Sequence, residues 1–243
     1  MLSVGLVGNV LVIYVVARYA RMKTVTNVYI LNLSIADSLF LVGMPMIMTT
    51  ALLRRWVFGA VLCRVFYVLT CVNMFTGAFV LALMSADRFA AVWFPMSSAT
   101  YRTPSVAAAA AAVAWVASGA VMSPVVFYAE QLARRDADPP TYSCVVTWPA
   151  ERALTAARIY VGYTFAVGFL LPVSGVCVFY ALLVWRLRSR RRHIKSVTSK
   201  RHPTARRSLT CFVAIIIAVF IVCWLPYWCF QVRRYSQRVY RIR

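Results

Sequence analysis

The chain has 243 residues, 62% of them hydrophobic and only 14% charged, where soluble domains carry about a quarter charged residues. Its 27 Lys and Arg against 6 Asp and Glu give a net charge of +21. The apolar residues form runs longer than a soluble core needs, and the basic residues sit mainly between them, which argues against a nucleic-acid-binding domain and marks a membrane protein.

Six apolar segments lie at about 1–18, 26–50, 60–92, 104–128, 157–186 and 206–231. Each reads as a helix long enough to cross a hydrocarbon core of about 30 Å. The expected fold class is all-α, a polytopic membrane bundle of six transmembrane helices. Segment one starts at Met1 without the charged start or cleavage site of a signal peptide, so it reads as a truncated first helix. In segment four the run SVAAAAAAVAWVASGA combines strong helix formers with side chains small enough for close helix packing.

The gaps orient the chain. RYARMK (Arg18, Arg21, Lys23), SSATYRTP (Arg102) and the stretch from Arg186 to Arg207 share one side, and their Lys/Arg content makes it cytoplasmic. The last of these holds about ten basic residues and suits either anionic headgroups or an acidic cytoplasmic partner. It also contains Ser189, Ser196, Thr198 and Ser199 as phosphorylation candidates. On the outer side, LLRRWVFG and EQLARRDADPPTYSCVVTWPAER face the exterior, and the second holds Glu130, Asp136, Asp138 and Glu151. The final RRYSQRVYRIR is basic yet falls outside by alternation. It reads either as a short outer tail or, preferably, as non-native sequence following a receptor domain over 1–228, which leaves 229–243 as a basic tail.

Three sets of residues carry chemistry. Asp87 and Arg88 stand together, Arg88 being 25 residues beyond Cys63, about 38 Å along a helix. The pair therefore ends a full crossing, either as a snorkelling Arg with its counter-ion or as a switch in which Asp87 holds Arg88 in one state and releases it in another. Asp37 is the only carboxylate in mid-membrane, at an insertion cost of about 2.5–3.5 kcal/mol. It needs polar partners or an ion, with Asn9 and Asn73 as candidates. Cys63 and Cys144 both lie on the oxidising side, where a disulfide would tie the outer loop over the bundle. The other five cysteines lie within apolar runs, where they behave as small hydrophobes, and no spacing suggests a metal site.

Further features suit a bundle that moves. Pro45, Pro124, Pro172 and Pro226 interrupt segments two, four, five and six, and each can kink its helix. Phe220 and Trp224 lie one turn apart before Pro226, as a lever or as plain packing. Trp56, Phe58 and Gly59 form an outer aromatic corner or an interfacial anchor. Asn32-Leu33-Ser34 matches the glycosylation triplet but lies inside the membrane.

GNVLV, NLSIAD, WVFG, Cys63, SADRF, Trp115, Pro172 with Tyr180, and FIVCWLP, in this order, resemble the rhodopsin-type G-protein-coupled receptors. TVTNVYILNLSIADSLFLVGMP, NMFT, SSATYRTP and CVVTWP are similar to the somatostatin, opioid and allatostatin-C peptide receptors. TYRTP, CWLPYW and Thr70 resemble the arthropod allatostatin-C branch.

The resemblance implies an allosteric sodium site at Asp37 and Asn73. It implies G-protein coupling and switching through Asp87, Arg88, Tyr180 and Arg206, and an activation toggle at Phe220, Trp224 and Pro226. It also implies a Cys63–Cys144 disulfide and a ligand cavity including Thr70, Asn73 and Trp224. The implied partners are a short disulfide-closed peptide, an inhibitory-type heterotrimeric G protein and the lipid bilayer of the plasma membrane. No enzyme activity, metal or resident cofactor is expected.

Thr70 stands where relatives carry an Asp, which removes an anchor for an amine. Phe89 replaces a usual Tyr, Gly77 a usual Ser, and Arg206 an acid found in some relatives. No seventh apolar run with an Asn-Pro-x-x-Tyr motif follows. Two alternatives stand beside this reading: a non-signalling six-helix isoform that pairs with a full-length receptor, and a six-helix transporter. The transporter would show an internal repeat or paired broken helices, and neither is seen.

Overall fold

The computed structural model describes residues 2–19, 22–134, 141–149, 153–194, 215 and 218–231. The described chain is almost wholly helical. α1 spans Leu2–Arg18, α2 Val25–Leu53, α3 Gly59–Trp93, α4 Pro95–Tyr101 and α5 Pro104–Tyr128. A hairpin of β1 (Ala129–Arg134) and β2 (Thr141–Val146) follows. α6 (Ala153–Phe165) passes through a π turn at Ala166–Leu170 into α7 (Leu171–Ile194), and α8 covers Ala218–Gln231.

Local chemistry sets these limits. Thr24 caps α2 and Thr103 caps α5, each hydroxyl accepting from a backbone N–H three residues on. Pro95 and Pro104 begin α4 and α5 where no helical donor is needed. The turn between α2 and α3 runs through Arg54 at φ 53° and Gly59 at φ 83°, and Gly59 takes that left-handed conformation without strain.

Among the described residues, four helices are long and apolar enough to span a membrane: α2, α3, α5 and the continuous helix Ala153–Arg186. α1, at 17 residues, reaches about 26 Å along its axis. Of segment six, the start at 206 and the residue Arg206 lie outside the described residues. α8 runs past Trp228 to Gln231, and residues 232–243 also lie outside the described residues.

α3 is the axis of the bundle. It packs against α2, α5 and α7, while α1 covers α2. The alanine run of α5 does what its size permits: Ala107, Ala111 and Ala114, then Ser118, form a buried stripe that brings the backbone close to its neighbours. One apolar cluster joins Tyr29, Val80, Leu81, Met84, Ala107, Ala114 and Val176. A second joins Met74, Phe75, Val121, Met122, Phe169 and Trp228.

The π turn has a local cause. Pro172 cannot donate to the carbonyl four residues back. The N–H of Leu171 reaches instead to the Ala166 carbonyl, one residue further than in an α-helix.

Candidate functional site

The outer end is closed by a bond and a turn. Cys63 at the start of α3 is bonded to Cys144 in β2, across 81 residues of sequence. β2 pairs antiparallel with β1, and the Trp56 N–H donates to the Tyr142 carbonyl at 2.7 Å. Trp56 is buried, donates its indole N–H to the Gly59 carbonyl at 2.8 Å, and lies 5.1 Å from the Phe58 ring. It is a packing corner, not an interfacial anchor. The sequence did not announce the hairpin, because EQLAR and TYSCVV lack the strict alternation of a half-buried strand.

Below the mouth, Thr70 donates to the Phe66 carbonyl of its own helix at 2.9 Å. Trp224 packs on the second apolar cluster, with its ring 6.2 Å from Phe220 and tilted by 44°. Pro226 continues in α8, and Trp228 seats between Phe165 and Phe169 at 5.5 and 6.3 Å. Trp228 was read only as the end of the native sequence. Its packing role is invisible until α6 and α8 are side by side.

Mid-bundle, Asn73 donates to Asp37 at 2.7 Å. Asn9 does not reach this carboxylate. Its amide donates to the Gly5 carbonyl one turn back at 2.9 Å, so α1 satisfies its own polar group. Asn73 is buried while Asp37 is open on one side. A second polar contact, Thr76 to Ser118 at 2.9 Å, ties α3 to α5 in the buried interior. The Trp115 indole N–H donates to Asn32 at 3.0 Å, so Asn32 holds helices together inside the bundle.

At the cytoplasmic end Asp87 is shared by two arginines. Asp87 is held by Arg102, whose Nε and Nη2 donate to its two oxygens at 2.7 and 2.9 Å. Arg88 lies 3.7 Å from the same carboxylate, too far for a hydrogen bond. The reason is reach. Neighbours on a helix point apart, whereas α4 folds the chain back so that a planar guanidinium meets the carboxylate end-on.

These hydrogen bonds push the Arg102 pKa up, so it stays charged across the physiological range. Arg88 Nε and Tyr180 Oη are both buried without a hydrogen-bond partner among the described residues. Arg102 was legible only as one more inner-loop charge. Its role needed the position of α4.

Arg102→Gln is expected to lower stability by about 1–3 kcal/mol, since it leaves the buried Asp87 carboxylate without its charged hydrogen bonds and with only the 3.7 Å contact to Arg88. Arg102→Lys should recover only part of that, because an ammonium cannot make the paired contact. Thermal unfolding of the purified variants measures both.

The description "7 transmembrane receptor (rhodopsin family)" matches residues 8–239. The chain belongs to this family. Rat somatostatin receptor type 1 is 41% identical over 230 residues, covering 94% of this chain and 56% of the relative. Mouse somatostatin receptor type 2 is 40% identical over 233 residues, covering 96% and 61%. Human somatostatin receptor type 3 is 39% identical over 225 residues, covering 93% and 52%. The chain thus spans between half and two thirds of the length of these curated relatives.

A rhodopsin-family bundle is a receptor fold and not an enzyme, and the six-helix transporter reading falls with that membership. In this family frame, the outer disulfide, the mid-bundle Asp37–Asn73 pair and the cytoplasmic Asp87–Arg102 pair lie along one path through the bundle.

Proposed function

We propose that this chain is the ligand-binding and transducing part of a plasma-membrane receptor for a short disulfide-closed peptide. The peptide is of the somatostatin and allatostatin-C type, and the partner inside is an inhibitory-type heterotrimeric G protein. The observation that carries the reading is the cytoplasmic end of α3. Arg88 pairs loosely with an Asp87 whose oxygens Arg102 already holds, and its Nε lacks a hydrogen-bond acceptor among the described residues, so a shift of this helix end would let it meet an acceptor from outside the chain. Leaving such a donor unmet costs about 1–3 kcal/mol. A G-protein segment ending in backbone carbonyls would recover it, and Tyr180 would turn toward the same opening.

On the outer side, Thr70 offers a neutral hydroxyl and no carboxylate, which disfavours amine ligands. The somatostatin receptors among the relatives support a peptide, and the allatostatin-C refinement rests on TYRTP and CWLPYW. Phe220, Trp224 and Pro226 would carry ligand-driven movement from the cavity inward, as a shift between two packings of α7 and α8.

Asp37 and Asn73 fit a sodium ion in part. The second Asp37 oxygen and the Asn73 carbonyl oxygen are hard donors, while Gly77 adds none. When bound, the ion would neutralise the Asp37 charge and favour the resting packing. Asp37→Asn is expected to abolish any fall in peptide affinity between sodium-free and sodium-containing buffer, with the fold retained. A sodium effect that persists in the variant would remove this site from the account.

The test of the function begins by sequencing the transcript across Trp228 and expressing its complete reading frame. Membranes should bind a labelled disulfide-closed peptide, and excess amine ligands should not displace it. Displacement by an amine, or absence of peptide binding with the receptor at the cell surface, would overturn the proposal. A transcript that really ends in RRYSQRVYRIR would move the tests to trapping of a full-length partner.

A further inference from the structure

The cytoplasmic ends of α3 and α7 carry a group of side chains that the switch does not use. Trp93 closes α3, 30 residues beyond Cys63, about 45 Å along the helix and therefore in the inner headgroup layer. Its ring stacks on Phe89 at 5.2 Å and on Trp185 at 5.8 Å, with interplanar angles of 29° and 24°. The Arg186 guanidinium carbon lies 5.1 Å from the centre of the same ring. Phe179 backs Phe89 at 5.4 Å. Trp185 is 60% exposed, so the step opens to the bilayer.

Arg186 is the unexplained member. It is half-buried, and its Nε is enclosed without a partner. Among the described residues it makes no ion pair, because the only pairs there join Asp87 to Arg88 and Arg102. The other described carboxylates lie elsewhere: Asp37 in mid-membrane and Glu130 in the outer hairpin. No described residue accepts from the indole N–H of Trp93 or Trp185. A cation fixed over an aromatic face, with its donor fork unused, is preorganised for a phosphate.

We propose that this aromatic step is a binding site for the headgroup of an anionic phospholipid of the inner leaflet, with Arg186 as the phosphate ligand. The acyl chain lies along Trp185 and Phe179, and the indole N–H groups face the headgroup. The charge complementarity is direct, since the inner leaflet carries the anionic lipids. Simple interfacial anchoring accounts for the exposure of Trp185, but not for an Arg pinned on Trp93.

The test is native mass spectrometry of the purified chain in detergent, titrated with phosphatidylserine or phosphatidylcholine. The chain should retain phosphatidylserine in preference. Arg186→Gln should weaken that retention about tenfold, as loss of a charge-assisted hydrogen bond implies. Trp185→Leu, which keeps the charge and alters an exposed side chain, should weaken it as well. Arg18→Gln, at the exposed cytoplasmic end of α1, should leave it unchanged. Equal retention of the two lipids, an unchanged Arg186→Gln variant, or an equal loss in Arg18→Gln would each overturn the site in favour of general lipid contact or general charge.

Discussion

Replacing Cys63 or Cys144 by Ala is expected to destabilise the protein by about 4 kcal/mol, the value for a bond closing a loop of this length. The two sulfurs join α3 to β2 across 81 residues. β2 is also held by β1 and by the backbone of Trp56. One covalent bond therefore fixes three separate stretches of the outer surface. The bond needs both sulfurs, so each single variant should lose as much as the Cys63→Ala, Cys144→Ala double variant. Chemical or thermal unfolding in detergent reads this directly. Losses that add in the double variant would show that the two cysteines act independently.

The second large effect lies at Gly168, in the π turn. A Cβ built there would come within 2.6 Å of the Phe75 ring Cδ1 and closer still to Cε1. Phe75 is fully buried on α3, so its ring has little room to yield. Gly168→Ala should therefore cost about 1–3 kcal/mol through overpacking, and Gly168→Val more. Trimming the opposing ring should relieve the clash. Phe75→Leu combined with Gly168→Ala should be less destabilised than the sum of the two single changes. Simple additivity in this cycle would mean that the close approach is not what makes glycine necessary.

The bundle was legible in the sequence because membrane helices are written in long apolar runs. The ends of α2, α3 and α5 fall within three residues of the segments read from composition. The hairpin was not legible, since its strands lack a strict alternation and are fixed to the bundle by distant contacts: the Cys63–Cys144 bond, the Trp56 backbone N–H and the Arg64 side chain.

The site divides in the same way. Asp37 and Asn73 are 36 residues apart, but both stand out as polar residues in apolar runs, and each needs a partner. The Asp87–Arg88 adjacency suggested an ion pair, which forms at 3.7 Å, but not that Arg102 would take the two hydrogen bonds of the same carboxylate. Arg102, Trp228 and the Trp93–Arg186 contact depend on where distant helices end, and no local pattern encodes that. Gly168 looked like one more residue in a helix until the π turn brought it against Phe75.

The most direct measurement is uptake of a non-hydrolysable GTP analogue by an inhibitory-type heterotrimer, in membranes holding the complete reading frame. It is made with and without a disulfide-closed peptide, for the native receptor and for Arg88→Ala. The account predicts peptide-dependent uptake in the native receptor. In Arg88→Ala that uptake should fall at least about tenfold, the effect of losing a charged hydrogen bond to the partner, while peptide binding is retained. Full peptide-dependent uptake in Arg88→Ala would contradict the claim that this end of α3 is the coupling switch.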